Sequence, residues 1–375
     1  MIEIRYLISD SVGSLIFLGT MILALFFAWL AEYKRRMRIL MKSSKSNKWN
    51  IYVVLLVLLL SSVLGLRSGT VGLDTVGLER SMLPFLERGD FNGAYGSDIF
   101  KLFAQTTLLI SGNSYTFFWF ILALVTISLF IAWLWRFGDK ISFPIAVLLF
   151  VTIYFQTTFN LHRQMLSIAI FLFGTTYFFQ KKYLMFFIFI GLATAFHYII
   201  IPTIVLFIIV SVFFNSRTEQ KWIRRISVAI ISIILVLYVY IIYSNMDGLT
   251  YLERYLREEA VGEIGAYQPF KFILLTILLA SIWKRIQMND RNILIYGVFA
   301  IIGSFMTFAG YLWPFAGRIA LGLVVPELIL VANVKNNTKY AVLIRWIIIP
   351  LSIIIYIVSI NNGIHGIMPY YFFWQ

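Results

Sequence analysis

His162, Arg163 and Gln164 stand side by side in FNLHRQMLSIAIF (residues 159–171), at the mouth of an otherwise apolar run. An Arg on a membrane helix costs about 2.5–3.5 kcal/mol at the bilayer centre and less near the surface. An anionic ligand is the simplest partner that would offset this cost. A second cluster is YLWPFAGRIALGL (311–323), where Pro314 and Gly317 are expected to break the chain and Arg318 to open the next apolar run. Glu327 lies nine residues further on, about 13 Å deeper along a helix. An intramembrane carboxylate signals function by default, but the plainer expectation is an interhelical hydrogen bond made by the neutral acid. His197 closes another apolar run, and Arg67 and Asp74 stand in a long polar stretch. These groups offer cations for an anion, with a histidine or a carboxylate to take up a proton. The chain has no cysteine, which removes disulfides, thiolate metal sites and cysteine nucleophiles. No Asp-x-Asp pair or spaced His and acid set suggests a divalent ion, so neither metal nor cofactor is expected.

The elements that must position these residues are membrane helices. Of 375 residues, 61% are hydrophobic and 13% are charged, with a mean hydropathy of +0.87; soluble domains carry about 25% charged residues. The fold class is therefore an all-α polytopic membrane protein in a single transmembrane domain. A spanning helix needs about 20 apolar residues. Runs at 12–31, 50–66, 114–135, 141–158, 164–180, 183–197, 199–214, 226–244, 269–283, 292–312, 318–334 and 340–360 give about twelve spans. Residues 183–214 read as two short crossings separated near His197 and Pro202. One continuous helix of that length would reach about 48 Å, well beyond the roughly 30 Å hydrocarbon core.

The block EYKRRMRILMKSSKSNKW carries seven Lys/Arg and fixes the first loop as cytoplasmic. With alternation, inner loops hold 20 Lys/Arg and four acids, and outer segments hold 10 and 12. Glu327 and Arg345 are left within spans or at their edges. Both termini are then expected outside the cell. The net charge of +14 is used up as an orientation signal, so a nucleic-acid partner is not expected. The first span lacks a small-residue cleavage site and is read as retained.

This topology puts His162, His197, His365, Arg67, Asp74, Arg163 and Arg318 on the outer side. The long segments 67–113 and 245–268 are also outer, and inner loops are short and merely basic. Residues 98–110 and 249–259 each set apolar side chains beside charges, the pattern of helices lying in the headgroup layer. They anchor loops or rim a cavity. Arg163 lies 18 residues before Lys181 and His197 lies 15 after Lys182, so both stand roughly 22–27 Å above one cytoplasmic turn. A short connection makes the two helices antiparallel neighbours. Arg163 and His197 are expected to face one outer cavity. The bland alternative is a snorkelling Arg and a satisfied interfacial His.

The order "R…VGLDT" from Arg67 to Thr75, "N-x-x-RQ" from Asn160, a hairpin ending "A-F-H" at His197, and "G-R-I" at Arg318 resembles the EpsG group of Wzy-type polysaccharide polymerases. Two positions depart from the family pattern: Leu78 stands where Tyr is common, and Ile199 and Ile200 where a Ser-Ala pair is common. The resemblance implies a bacterial inner-membrane enzyme working at its outer face on undecaprenyl-diphosphate-linked oligosaccharide. The growing glycan would leave its lipid diphosphate and join an incoming unit. A chain-length-regulating copolymerase is a candidate partner beside the lipid bilayer.

Under this resemblance Arg163 and Arg318 would cradle the diphosphate, with Arg67 nearby and Asn160, His162 and Gln164 in the same binding region. A guanidinium binds phosphate bidentately and stays charged. His197 would be the general base and Asp74 the runner-up, while His162, which precedes its span, is expected to matter less. An O-antigen ligase-like transferase would use the same donor, but with one much larger outer loop late in the chain. A polysaccharide or lipid transporter would need midplane charges and an inverted repeat. A membrane acyltransferase would need a cytoplasmic His.

Overall fold

A computed structural model describes residues 2–40, 50–215, 267–309 and 314–374. Among the described residues every regular element is helical; the one β-type contact is an isolated antiparallel bridge between Arg67 and Phe372. Among the described residues, three helices are long and apolar enough to cross a membrane: Ser11–Leu40, Tyr115–Trp135 and Lys339–Asn361. Shorter apolar helices lie between them at Ile51–Gly65, Phe143–Tyr154, Tyr183–Phe196, Tyr198–Phe214 and Arg291–Thr307. The expected span at 226–244 and the outer segment 245–268, with its 249–259 helix, lie outside the described residues.

The chain divides into two compact units, Met1–Tyr198 with Ile349–Gln375, and Ile199–Ile348. In the first, α1 (Ile2–Leu40) packs on α2 (Ile51–Gly65) and on α7 (Phe143–Leu149), and α2 packs on α6 (Tyr115–Trp135). Asn50 starts α2: its side-chain oxygen accepts from the backbone N–H groups of Tyr52 and Val53, and its amide donates to the Ala31 carbonyl at 3.1 Å. Ser114 caps α6 in the same way through the N–H of Phe117. Helix α7 runs on as a π-turn (Phe150–Tyr154) and a 3-10 turn (Gln156–Phe159). The chain then enters α8 (His162–Phe179), which pairs with α9 (Tyr183–Phe196). That antiparallel pairing matches the expectation. Gly174 permits it, because a methyl group there would lie 2.7 Å from Cβ of Phe189.

The segment 67–113, expected on the outer side, is itself largely helical. It forms α3 (Leu73–Ser81), α4 (Leu83–Glu87) and α5 (Asp98–Ile110). On α5, Phe100, Ala104 and Leu108 are buried while Leu102, Leu109 and Ile110 are exposed. Apolar side chains on both faces of the helix suit a headgroup-layer position. The carboxy-terminal stretch returns to the start of this segment. Ser68 N–H donates to the Tyr371 carbonyl, Phe373 N–H to the Leu66 carbonyl, and the Tyr370 hydroxyl to the Val63 carbonyl at 2.7 Å.

The ends of α1 and α6 expected to face inward are more than basic. Arg35 is buried, stacks 3.2 Å over the Trp135 ring, and donates to the carbonyls of Trp135 and Gly138. Glu32 accepts the Phe143 N–H at 2.9 Å. These contacts tie together the ends of α1, α6 and α7, so this part of the basic block has a packing role beside its orienting one.

The second unit holds α10 (Ile201–Asn215), α11 (Tyr267–Asn289), α12 (Arg291–Ala309), α13 (Pro314–Val324), α14 (Glu327–Ala332) and the first part of α15 (Lys339–Asn361). Two expectations are corrected here. Gly317 does not break the chain before Arg318, although a helix boundary does fall at Pro314. Pro314 is the first residue of α13, a position where its missing N–H costs nothing, and the helix runs through both residues. A turn at Val325 and Pro326 interrupts the chain again, so the expected single span 318–334 is two helices. Glu327 opens the second of them. The interhelical hydrogen bond expected of it is made with Lys271 on α11, which lies 3.0 and 3.1 Å from its two oxygens, and both residues are buried. Arg345 is buried nearby in the chain's own loops, donating to the Val331 carbonyl at 2.7 Å and to Asn333 and Asn337.

Candidate functional site

Helix α9 ends at Phe196, and His197 adopts an extended backbone before a 3-10 turn at Tyr198–Ile200. The break between two short helices falls where the sequence placed it. Ser167, one turn along α8 from Arg163, donates to the Ala193 carbonyl at 2.7 Å and to the His197 carbonyl at 3.4 Å. Helix α5 joins the same corner. The Ser97 hydroxyl donates to the Phe196 carbonyl, and Phe100 and Phe103 pack edge-on to the Phe196 ring. The start of α8 and the end of α9 therefore meet under the outer segment. Arg163 is half-buried, with its guanidinium 4.7 Å from the Tyr95 ring and 5.8 Å from that of Phe100. His197 is half-buried beside Tyr198.

A second cluster lies deeper. Arg67 is 2% exposed, and its guanidinium donates to the Leu64 and Val71 carbonyls, to Thr75 Oγ1 at 3.0 Å, and to Nε2 of His162 at 3.2 Å. A guanidinium has no acceptor, so Nε2 of His162 must be the unprotonated ring nitrogen. Nδ1 carries the hydrogen and bonds to the Thr158 backbone. Trp119 packs 4.8 Å from the imidazole and 5.2 Å from the guanidinium carbon of Arg67. Leu64, Arg67, Trp119, Thr158, His162 and Met165 line a small recess. Burial lowers the Arg67 pKa to about 10, and burial with the Arg67 charge lowers that of His162 well below its ordinary value.

His162 is thus the first residue of α8 and fully engaged, whereas the sequence set it before the span as a residue of lesser weight. Asn160 and Gln164 are buried on either side of it. Asp74 is exposed on α3. Arg318 is half-buried on α13 in the second unit, and Arg163 and His197 belong to the first. Leu78, the departure from the family pattern, is buried. Sequence reasoning passed over Glu79, whose Oε1 accepts the Trp119 indole N–H at 2.7 Å. The available signal was helical spacing: Thr75, Leu78 and Glu79 stand at i, i+3 and i+4 on one face of α3.

Fold and site define an all-helical membrane protein in which Arg67, His162 and, through Trp119, Glu79 gather where α2 gives way to the polar segment 67–113. The EpsG family profile matches residues 50–372, most of the chain. The chain belongs to the EpsG family, a Wzy-like polysaccharide polymerase family. No curated protein and no solved structure matches it.

Proposed function

We propose that this protein polymerises oligosaccharide repeat units carried on undecaprenyl diphosphate, at the outer face of the bacterial cytoplasmic membrane. Family membership supports the class of reaction. The observation that carries the reading is Arg163 at the helix mouth, half-buried between Tyr95 and Phe100. A guanidinium flanked by aromatic rings is oriented without being neutralised. It suits a diphosphate leaving group, whose growing negative charge it stabilises in the transition state. Arg318 supplies a second cation. His197 holds the donor next to Arg163 as a positioning residue, and the reaction proceeds without a divalent metal. Arg67 organises the site from within, because four of its five donors are spent on Leu64, Val71, Thr75 and His162.

The charge asymmetry of the loops supports the outward orientation. Arg163→Cys and His197→Cys, in this cysteine-free chain, should react with an impermeant thiol reagent from outside the cell. Labelling from the cytoplasmic side alone would overturn the orientation. For the function itself, host cells lacking the protein should accumulate single lipid-linked repeat units and lose long glycan, and the wild-type gene should reverse both. Long glycan persisting in the deletion strain would contradict the reading.

A further inference from the structure

Helix α3 presents two carboxylates in opposite ways. Asp74 is exposed, as are Gly77 and Ser81. Thr75 and Leu78 are buried on the other face, and Glu79 shares that face, half-buried. Thr75 reaches the Arg67 and His162 cluster directly, while Glu79 reaches it through Trp119. The indole N–H pins Oε1 at 2.7 Å, and the same indole walls the cluster. Oε2 takes no hydrogen bond from the described residues and lies against the backbone of Gly69. A methyl group at position 69 would sit 2.0 Å from Oε2, so an alanine there must push this carboxylate aside. On either side of Gly69 the exposed hydroxyls of Ser68 and Thr70 pair at 3.1 Å. A half-buried carboxylate with one oxygen fixed by an indole, and the other taking no hydrogen bond from the described residues, keeps an acceptor for a sugar hydroxyl.

We propose that Glu79 is the acceptor-side base: it accepts the hydrogen bond of the attacking sugar hydroxyl and takes its proton. This rests on the polymerase reading and adds the group that reading leaves unassigned. The hydroxyl oxygen forms a bond to the anomeric carbon of the donor glycan. The bond from that carbon to the diphosphate oxygen breaks, its electron pair leaves with the diphosphate, and the hydroxyl proton ends on Glu79. The ligand class at Glu79 is a hydroxyl-bearing sugar that is uncharged at the attacking position.

Glu79→Gln separates this role from a structural one. The Gln amide oxygen still accepts the Trp119 N–H but cannot take up a proton. The purified full-length protein is given the host's own lipid-linked repeat units, extracted from cells lacking it, and chain extension is timed. Glu79→Gln should extend chains about 10²–10⁴-fold more slowly, with protein abundance and binding of lipid-linked units unchanged. Extension near the wild-type rate would overturn the inference and reduce Glu79 to a partner for Trp119. Gly69→Ala provides a second reading should Glu79→Gln accumulate poorly. Its methyl displaces only the flexible end of Glu79, so it should fold, yet it should also slow extension; a wild-type rate there would likewise overturn the inference. If the wild type itself makes no polymer from these units, the polymerase reading falls and this inference with it. An active wild type with an active Glu79→Gln removes the inference alone.

Discussion

Nη2 of Arg67 lies 3.2 Å from Nε2 of His162, joining two residues 95 positions apart in a buried pair. Arg67 follows the end of α2 and His162 opens α8, so this contact ties the polar segment 67–113 to the helix that carries Arg163. Because the guanidinium can only donate, the imidazole is held neutral.

That neutrality makes stability depend on pH. The folded chain keeps His162 unprotonated, through burial first and the Arg67 charge second, while the unfolded chain binds a proton below about pH 6.5. Stability linked to this group is complete above that pH and falls as the pH drops, by about 1.4 kcal/mol per pH unit until the folded protein is protonated too. Melting of detergent-solubilised wild type should shift downward between pH 7.5 and 5.5, and His162→Gln should flatten the shift. Identical pH profiles for the two proteins would show that His162 is not held this way.

Arg163→Lys and Arg318→Lys should both lose most polymerisation at normal abundance. Lysine keeps the charge but not the planar fork that binds two phosphate oxygens at once. Tyr95→Ala should resemble a milder Arg163→Lys, because the ring that orients the guanidinium is gone. The readout is glycan length on gels from cells expressing each variant. Wild-type length from both Lys variants would remove the diphosphate role.

His197→Gln should retain much of the activity and His197→Ala much less. A positioning residue needs a hydrogen-bonding group of similar size, which Gln supplies, and does not need to carry a proton. If His197→Gln falls as far as a lost general base, about 10²–10⁴-fold, His197 is the base and Glu79 is not.

Lys271 and Glu327 should be separable from catalysis. Removing one member of a buried pair leaves an uncompensated charge and costs about 3–5 kcal/mol, whereas replacing both by apolar groups can be neutral. Lys271→Met should lower the melting temperature sharply, and adding Glu327→Leu should restore it. Failure of the double variant to recover would mean the pair does more than pin α11 to α14.

Much of the helix pattern was legible because apolar runs and their polar interruptions lie in single stretches of sequence. The break at His197 and the pairing of α8 with α9 needed only lengths and a short turn. The Arg67–His162 pair was not legible, since neither residue signals a partner so far along the chain. Lys271 was overlooked for the same reason: Glu327 on its own reads as an isolated acid, and its cation lies 56 positions away. Glu79 stands outside the quoted motif that carries Asp74, and only its i, i+4 spacing from Thr75 marks it as sharing the buried face of α3. Pro326 was hidden within an apolar run whose hydropathy does not register a missing N–H.

Arginine-assisted transfer from a lipid diphosphate is tested most directly by reconstitution. Purified wild-type protein in liposomes, given the host's lipid-linked repeat units and excess EDTA, should build a ladder of lipid-linked glycans, and Arg163→Lys should build almost none. A ladder that disappears in EDTA and returns with a divalent ion would contradict metal-independent transfer. Units moved across the bilayer without being joined would contradict the polymerase itself.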